Sequence, residues 1–254
     1  MTTRQQLEDF YRTLLSPDSY SDYGPNGLQI EGNTQLKTVA FAVSATRHSI
    51  AEAIDKNADT LVVHHGLFWK FHGARPLTGP FAKRIVPLIN HNINLLAYHL
   101  PLDGHAEIGN AATLGNLIGC VEQQAFGDYR GSPTGIKGRL SSPCSASSLQ
   151  LQLEQILNHK VIIASANENR IINTVGIITG GANSEWHLAQ KEGLDAYITG
   201  EISEHDWHES QEAGIHMFAG GHNATEQFGI QALMEKTRQQ FGLECFFISS
   251  KNPA

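Results

Sequence analysis

An internal repeat constrains the fold of this chain more strongly than any other feature of its sequence. Residues 38–66 and 174–202 share one layout: an apolar strand, a turn of small residues, a helix, an aspartate and a second apolar strand. The offset between the copies is 136 residues, which is the separation of Asp59 from Asp195. Strands that alternate with helices are typical of α/β proteins, so we expect two α/β units of similar topology.

The repeat continues in a second pair of segments that carries metal-ligand side chains. His99 and Asp103 follow the apolar run LLAY, and His222 and Glu226 follow the run MFAG, at a constant offset of 123 residues. Ligand sites in α/β proteins usually lie at the carboxyl ends of strands. We therefore expect these side chains, from both copies, to contribute to one site.

The composition is that of a globular protein and argues against several functional classes. Of 254 residues, 41% are apolar and 17% are charged, and the longest apolar runs are strand-sized, too short to span a membrane. The net charge of −7 argues against a broad nucleic-acid surface, which needs a basic face. The segment after Met1 lacks the apolar core of a secretory signal, so we expect none.

Cysteine and histidine usage adds to this description. The three cysteines, at positions 120, 144 and 245, have no paired spacing, which indicates neither a disulfide framework nor a structural zinc site. We therefore expect a reducing, cytoplasmic setting. The thirteen histidines are the one unusual feature of the composition.

Hydrophobic periodicity and turn residues predict the order of the elements. An amphipathic helix opens the chain, with Thr3 and Gln6 as a capping box. The further predicted helices cover 48–57, 81–91, 107–118, 147–158, 184–192 and 224–241; the predicted strands cover 28–30, 38–43, 60–63, 94–98, 160–164, 174–179, 196–199, 215–219 and 245–249. The Gly/Ser/Pro-rich stretch 122–145 is predicted to be a connector, a hairpin or both. We divide the chain into a first α/β half, residues 1–125, and a second, residues 126–254.

A histidine pair ends one of the predicted strands. His64 and His65 follow an apolar run directly and precede Gly66. In a continuing strand, neighbouring side chains point to opposite faces, so the two imidazoles would not serve one site. If the strand ends and the backbone turns at Gly66, both can reach one rim; alternatively, each binds a different ion of a pair. The simpler interpretation is that one histidine packs or hydrogen-bonds and the other is solvated.

Glu226 has two interpretations. Asn223 is a natural N-cap for the last helix, and Glu226 then falls at the third helical position and completes a capping box. The i, i+4 spacing also puts His222 and Glu226 on one face of the helix start, where the carboxylate is long enough to bridge two cations.

The other polar residues at the predicted strand ends are also candidates for the site, and some of them have more than one interpretation. Asp103 lies in a predicted loop and is either a ligand or the cap of the helix at 107. His99 is a candidate ligand, or a donor that orients a carboxylate. Glu201 occupies the position of His65 in the second copy, so we interpret it as a rim residue of the same cavity. The histidines at 205, 208 and 216 have no such alignment and are interpreted as surface or core residues.

The resulting candidate ligand set consists of three imidazoles and two carboxylates: His64, His65, Asp103, His222 and Glu226. Such donors suit zinc, iron, manganese, nickel or cobalt. Five protein groups do not saturate two ions, so water or hydroxide must complete the coordination shells. A bridging hydroxide with open positions is what two-metal hydrolysis requires, with His99 or Glu201 moving protons.

Five motifs, spread over essentially the whole chain, are shared with a known family. They are Asn26-Gly27-Leu28-Gln29, His64-His65-Gly66, His99-x3-Asp103, Thr199-Gly200-Glu201 and Gly221-His222-x3-Glu226. With them the chain resembles the short bacterial form of the NGG-interacting-factor-like family, whose bacterial members are labelled GTP cyclohydrolase I type 2 homologues. Many members carry proline after the histidine pair, where this chain has Gly66; we expect glycine to relax the turn and to leave the ligands unchanged.

The resemblance implies a fold, a site and an assembly. The fold would consist of two interlocked, weakly repeated α/β domains with mixed sheets, with a dinuclear metal centre at their interface. The five residues above would be the ligands, with Glu226 bridging. The resemblance also implies a toroidal homohexamer whose sites face an internal cavity, and a GTP ring-opening activity at the imidazole-ring carbon of guanine.

Two functions are consistent with these residues. One is a metal-dependent hydrolase of a small molecule, for which a phosphoester or an amide fits as well as GTP. The other is a non-catalytic metal-binding, metal-delivery or scaffold protein. A change at His99 or Glu201 that abolishes turnover without loss of metal would distinguish them. A local basic cluster, formed by Lys70, Arg75, Lys83 and Arg84, offers a funnel for an anionic nucleotide, although a solvated face is the favoured interpretation.

Overall fold

The computed structural model describes residues 1–254, which form thirteen strands and ten α-helices. The strands are β1 (Thr2–Thr3), β2 (Gly27–Ile30), β3 (Gln35–Leu36), β4 (Thr38–Ser44), β5 (Thr60–His65), β6 (Asn94–Ala97), β7 (Cys120–Phe126), β8 (Gly135–Ser145), β9 (Ile162–Ala164), β10 (Ile171–Ile177), β11 (Ala196–Thr199), β12 (His216–Ala219) and β13 (Glu244–Ile248). The α-helices are α1 (Arg4–Leu15), α2 (Arg47–Asp55), α3 (Gly79–Asn90), α4 (Leu100–Asp103), α5 (Asn110–Leu117), α6 (Ala146–Leu157), α7 (Trp186–Lys191), α8 (Glu204–Glu212), α9 (His222–Thr225) and α10 (Gln227–Phe241). None of the helices combines the length and apolarity that a membrane span requires.

The chain folds into two compact units. The first comprises Met1–Leu102 and Ile230–Ser250, and the second comprises Asp103–Gly229 and Lys251–Ala254. The chain passes from one unit to the other within α4 and again within α10. These units divide the chain elsewhere than at residue 125, because α5 packs against β7 and β8, whereas the late strand β13 pairs with β4.

A five-stranded mixed sheet forms the centre of the first unit. Its order is β13-β4-β5-β6-β2, in which the first four strands are parallel and β2 runs antiparallel to β6. Consecutive residues 39–43 of β4 are all buried, as expected for a parallel strand covered on both faces. Ile50 of α2 and Leu88 of α3 pack with Leu61 of β5 in one apolar cluster. The parallel strands therefore end together at one edge of the sheet.

Helix α1 begins as its sequence predicts. The Thr3 backbone N–H donates to Gln6 Oε1 at 2.8 Å, and the Gln6 N–H donates to Thr3 Oγ1 at 3.2 Å, which confirms the capping box. Its buried stripe includes Leu7 and Tyr11. The Tyr11 hydroxyl and the Thr237 hydroxyl are 2.7 Å apart, so the first helix is tied to α10 by a buried hydrogen bond.

A six-stranded mixed sheet forms the centre of the second unit. Its order is β7-β8-β10-β11-β12-β9, with β10, β11 and β12 parallel and with β8 and β9 antiparallel on either side. The stretch 122–145 resolves into the hairpin of β7 and β8, one of its two predicted forms. The sequence did not predict α8, because only Asp206 and Ser210 of that helix are buried and no apolar stripe marks it.

The repeat is confirmed by a hydrogen-bond pattern that occurs in both units. Asp59 Oδ2 accepts from the backbone amides of residues 37 and 38 at 2.7 and 3.1 Å. Asp195 Oδ2 accepts from the amides of residues 173 and 174 at 2.9 and 3.1 Å. In each unit, the aspartate lies just before one parallel strand. Its carboxylate hydrogen-bonds to backbone amides in or next to the parallel strand that comes before it in the chain. Both units are mixed α/β structures, as predicted.

Candidate metal centre

Three histidines meet at the carboxyl edge of the first sheet. Strand β5 ends with His64 and His65, and His99 follows β6 after one residue. One donor nitrogen from each of the three lies within 4.8 Å of the other two. The ring centroids of His64 and His65 are 4.6 Å apart. Both imidazoles therefore reach one site, although β5 includes both residues and does not end before them as predicted.

Hydrogen bonds fix the tautomers of two of these histidines. The Nδ1 of His64 lies 3.0 Å from the carbonyl oxygen of Tyr98, and the Nδ1 of His99 lies 2.7 Å from Oδ1 of Asp22. Carbonyl and carboxylate oxygens only accept, so Nδ1 carries a proton in both rings, and the neutral form of each ring has its lone pair on Nε2. This is the arrangement in which histidine binds a metal ion. The Nδ1 of His65 pairs with the Ser44 hydroxyl at 3.0 Å.

Asp22 belongs to the site but was not found from the sequence. Its side chain is buried, and its Oδ2 accepts from Leu100 N and from Asn26 Nδ2, both at 2.9 Å. Burial alone would raise the pKa of Asp22, but the hydrogen bond and charge of His99, with those two donors, lower it below its usual value. Asn26 Oδ1 also accepts from His99 N at 2.8 Å. Asn26, the first residue of its motif, therefore supports His99, and no motif in the sequence marked Asp22.

Gly66 has a different role from the expected one. Its φ is not in the left-handed region, so the residue does not relax the turn through a conformation reserved for glycine. A Cβ at this position would lie 2.3 Å from Oε1 of Gln29. That oxygen accepts from Leu67 N at 2.8 Å. Gly66 therefore makes room for the Gln29 carboxamide, which holds the chain just after the histidine pair.

His222 lies between two carboxylates at the strand ends of the second unit. Its Nδ1 donates to Glu201 Oε1 at 2.5 Å, and its Nε2 lies 3.1 Å from Glu226 Oε2. Burial would lower the pKa of His222, but the hydrogen bonds and charges of Glu226 and Glu201 raise it to about 9. In the metal-free protein, His222 therefore carries a proton on Nε2, the nitrogen that faces Glu226. A metal ion bound at Nε2 would replace that proton. Glu201 would then orient the ring from the other side, a common arrangement in metal sites.

The capping-box interpretation of Glu226 is wrong. Helix α9 covers His222–Thr225 with Gly221 as its N-cap, so Asn223 lies inside the helix and Glu226 follows its end with φ −100° and ψ 7°. The Glu226 side chain is 4% exposed. A Cβ on Gly180 would lie 2.0 Å from Glu226 Oε1, so the absence of a side chain at Gly180 creates the space for this carboxylate. No motif in the sequence marked Gly180.

Asp103 ends helix α4, rather than lying in a loop as predicted, and it does not cap the next helix. It is buried, and its Oδ1 accepts from Asn110 Nδ2 at 2.8 Å and from Thr179 Oγ1 at 3.4 Å. The predicted helix start at 107 is wrong, because α5 begins at Asn110. Asn110 Oδ1 accepts in turn from Gly229 N at 2.7 Å. A side-chain network therefore fixes the carboxylate, and neither Asn110 nor Thr179 was marked by a sequence motif.

The three histidines that were interpreted as surface or core residues do lie at the surface or in the core. The side chains of His205 and His208 are 63% and 56% exposed. His216 is buried, and its Nδ1 pairs with Ser165 Oγ at 2.8 Å. The groups that do stand at the strand ends of the two units are imidazoles and buried carboxylates, a donor set that fits a divalent transition metal.

Comparison with known proteins places the chain in a family. The sequence matches the family described as Duf34/NIF3 (NGG1p interacting factor 3) over residues 2–253. It is 41% identical to a Pasteurella multocida protein and 40% identical to a Haemophilus influenzae protein, both named GTP cyclohydrolase 1 type 2 homolog, over 98% of each chain. The solved structure of protein ybgI, described as of unknown function, is 36% identical, with a TM-score of 0.91 over 100% of each chain. The chain therefore belongs to the Duf34/NIF3 family, as its motifs predicted.

Proposed function

We propose that the protein is a metal-dependent hydrolase that binds two divalent ions. The proposed ligands are His64, His65, Asp103, His222 and Glu226, with Glu226 bridging. The observation that carries the proposal is the position of His222, whose two ring nitrogens face Glu201 and Glu226. The histidine cluster of the first sheet supports it, because two of its rings are held with the proton on Nδ1. The imidazole and carboxylate donors suit zinc, iron, manganese, nickel or cobalt.

The residues around the ligands suit hydrolytic chemistry. Two divalent ions, when bound, would supply a water of lowered pKa and stabilise negative charge on the attacked group. His99 can accept a proton on Nε2, and the charged form would be stabilised by Asp22 at its Nδ1. Glu201 holds the Nδ1 proton of His222 and offers a second carboxylate for proton transfer at the rim. We propose these two residues as the proton-transfer groups.

GTP is the first substrate to test. The relatives from Pasteurella multocida and Haemophilus influenzae are named as homologues of GTP cyclohydrolase 1 type 2. The reaction proposed for this chain is the addition of water to the imidazole-ring carbon of guanine, followed by ring opening. Phosphoester and amide hydrolysis would use the same groups.

We also propose a toroidal homohexamer in the cytoplasm. Large apolar side chains are exposed on the surface, among them Ile89 at 52%, Leu151 at 61% and Ile162 at 54%. These side chains would be shielded from water if they lay in contacts between copies of the chain. The three cysteines are free, which suits a reducing compartment. Size-exclusion chromatography with light scattering measures the assembly directly, and a monomer would contradict it.

The metal content of the purified chain tests the centre. We expect about two ions per chain in protein prepared without added metal or chelator, and a sharp loss in Glu226→Ala and His64→Ala. His208→Ala is the matched control, because this histidine is exposed and its ion pair is with Glu204, so the variant should keep the metal content of the wild type. Absence of metal in the wild type, even after reconstitution, would contradict the hydrolase proposal.

Turnover then separates the two functions. If His99→Gln and Glu201→Gln retain metal but lose hydrolysis of GTP or of another screened substrate, the hydrolase proposal holds. If the wild type binds metal and hydrolyses none of the GTP, phosphoester and amide substrates, a metal-binding, metal-delivery or scaffold role takes its place.

A further inference from the structure

A small basic cavity lies in the first unit beside the histidine cluster. Its volume is about 270 Å³, and its lining includes Gly66, Trp69, His72, Arg75, Phe81 and Arg84. Two guanidinium groups and an imidazole therefore share one cavity that no carboxylate lines. The volume lies below the roughly 300–1,000 Å³ of sites that hold a whole drug-sized ligand, so the cavity suits one charged group of a larger molecule.

Arg75 is held in place by its neighbours. Its guanidinium carbon lies 4.2 Å from the centre of the Phe81 ring, a cation–π contact that fixes the plane of the group. Its Nη1 lies 3.1 Å from Nδ1 of His72. Because arginine only donates, His72 Nδ1 accepts this bond and the ring carries its proton on Nε2. His72 is thereby set as a further hydrogen-bond donor, and no acid group neutralises Arg75.

No acidic residue near the cavity in the sequence compensates its positive charge. The chain contains no aspartate or glutamate between Asp59 and Asp103, although its overall net charge is −7. Arg84 forms no hydrogen bond or ion pair. A guanidinium in a cavity without an acidic partner is a ready donor for an oxyanion, and its planar fork of N–H groups can bind a phosphate through two hydrogen bonds.

The structure separates the four residues of the basic cluster. Arg75 and Arg84 line the cavity, whereas Lys83 lines a different groove, formed by α2 and α3. The Lys70 ammonium donates to the backbone oxygen of Asp22 at 2.7 Å. Of the four residues, Arg75 and Arg84 are therefore the ones placed to bind an anion in this cavity.

A single aromatic side chain connects the cavity to the histidines. The Trp69 ring lines the cavity, and its centre lies 5.1 Å from the ring of His99 and 6.0 Å from the ring of His65. Gly66, which also lines the cavity, follows His65 directly. An anion bound by the arginines would thus be one side chain away from the proposed reacting groups.

We propose that this cavity binds the phosphate group of the substrate, which makes the substrate a phosphorylated small molecule such as a nucleotide. The proposal rests on the proposed function, since it assigns a binding position to the substrate of the same centre. The phosphate would contact Arg75 and Arg84, and the group to be hydrolysed would extend past Trp69 toward His65 and His99.

Isothermal titration of the whole chain tests this assignment with defined probes. Guanosine 5′-monophosphate, ribose 5-phosphate, inorganic phosphate and guanosine are titrated into the wild type, Arg84→Ala and Arg75→Ala. We expect the three phosphate-containing probes to bind the wild type and both variants to weaken them at least about tenfold, because charge-assisted contacts are lost. Lys83→Ala is the matched control, with the same charge change at the adjacent residue, and should bind like the wild type.

Two results would overturn the assignment. One is equal phosphate affinity of the wild type and Arg84→Ala, with the fold of the variant verified by circular dichroism. The other is phosphate binding that disappears when metal is removed by a chelator, which would place the anion on the metal ions. Metal content is measured in the same samples. A wild type that takes up no metal, even after reconstitution, but binds phosphate through Arg84 would contradict the hydrolase proposal alone. A wild type that holds metal but binds phosphate equally well without Arg84 would contradict the cavity assignment alone.

Discussion

The Nδ1 atom of His99 lies 2.7 Å from Oδ1 of Asp22, a residue 77 positions earlier in the chain. The carboxylate is buried, its pKa is lowered by His99, and it holds the proton on Nδ1, so the neutral ring presents its lone pair at Nε2. The same relation recurs in the second unit, where Glu201 accepts from Nδ1 of His222. Each unit therefore supports one candidate histidine with an acidic partner at its far nitrogen, as metal-binding histidines are commonly held.

Asp22→Asn should lower turnover without loss of metal. The amide cannot stabilise the positive charge that His99 gains when it accepts a proton, so we expect kcat to fall about 100-fold or more. Turnover and metal content, determined in the same samples, measure this. Asp18→Asn is the control, because the Asp18 side chain is 82% exposed and its only ion pair, with Arg12, is long at 3.7 Å. Unchanged turnover in Asp22→Asn would show that the carboxylate does not act through His99.

Glu201→Gln should lower the pKa of His222 in the metal-free protein. That pKa is raised to about 9 against the effect of burial by Glu226 and Glu201, so loss of one carboxylate should move it back toward its usual value of 6.5. The imidazole resonances of His222, followed by NMR against pH, report the shift. Glu204→Gln, at a side chain that is 86% exposed, should leave the His222 titration unchanged. A His222 pKa that stays near 9 in Glu201→Gln would contradict this account.

Gly180→Ala should cost both stability and metal. Its φ is +70°, for which a side chain costs about 1–2 kcal/mol, and the new Cβ would lie 2.0 Å from Glu226 Oε1. Gly193→Ala is a matched control, because Gly193 has the same φ of +70° and no atom lies within 4 Å of the position that a methyl group would take there. Urea denaturation should show a loss of stability in both variants, and metal analysis should show loss of metal in Gly180→Ala alone. Equal metal content would mean that Glu226 can move without leaving the site.

Asp195→Asn should destabilise the protein in a pH-dependent way. Burial would raise the pKa of Asp195, but the amides of residues 173 and 174 and the Thr174 hydroxyl lower it below its usual value of 3.8. Folding therefore favours the ionised form, and this stabilisation is fully present above pH 3.8 and lost as the pH falls through the lower, folded-state pKa. We expect the variant to lose about 1–3 kcal/mol of unfolding free energy at neutral pH.

The difference between Asp195→Asn and the wild type should narrow in strongly acidic solution, because both then lack the charge. Denaturant titrations at a series of pH values provide the measurement, and Asp55→Asn, at an exposed position, provides the baseline. A difference that is the same at neutral pH and in acid would mean that the hydrogen bonds, and not the charge, account for the effect.

The repeat and most elements could be predicted from the sequence because their signals are local. Strands β4 and β10 are apolar runs bounded by turn residues, and the Thr3 and Gln6 capping box lies within four residues. The aspartates Asp59 and Asp195 were visible because both copies keep them at one offset. Helix α8 has polar residues on every face, so periodicity could not reveal it.

The candidate site was predicted where a side chain follows a strand end, and it was missed where a contact joins residues far apart in the chain. His64, His222 and Glu226 stand at strand ends that the repeat marks. The α/β class, the family and the residues able to bind a metal were therefore accessible from the sequence. The groups that support those residues became visible only in the folded chain: Asp22 reaches His99 over 77 positions, and Gly180 opens the space for Glu226. The physical reason is that hydrogen bonding and steric exclusion depend on positions in space, and only folding brings such distant residues within contact distance.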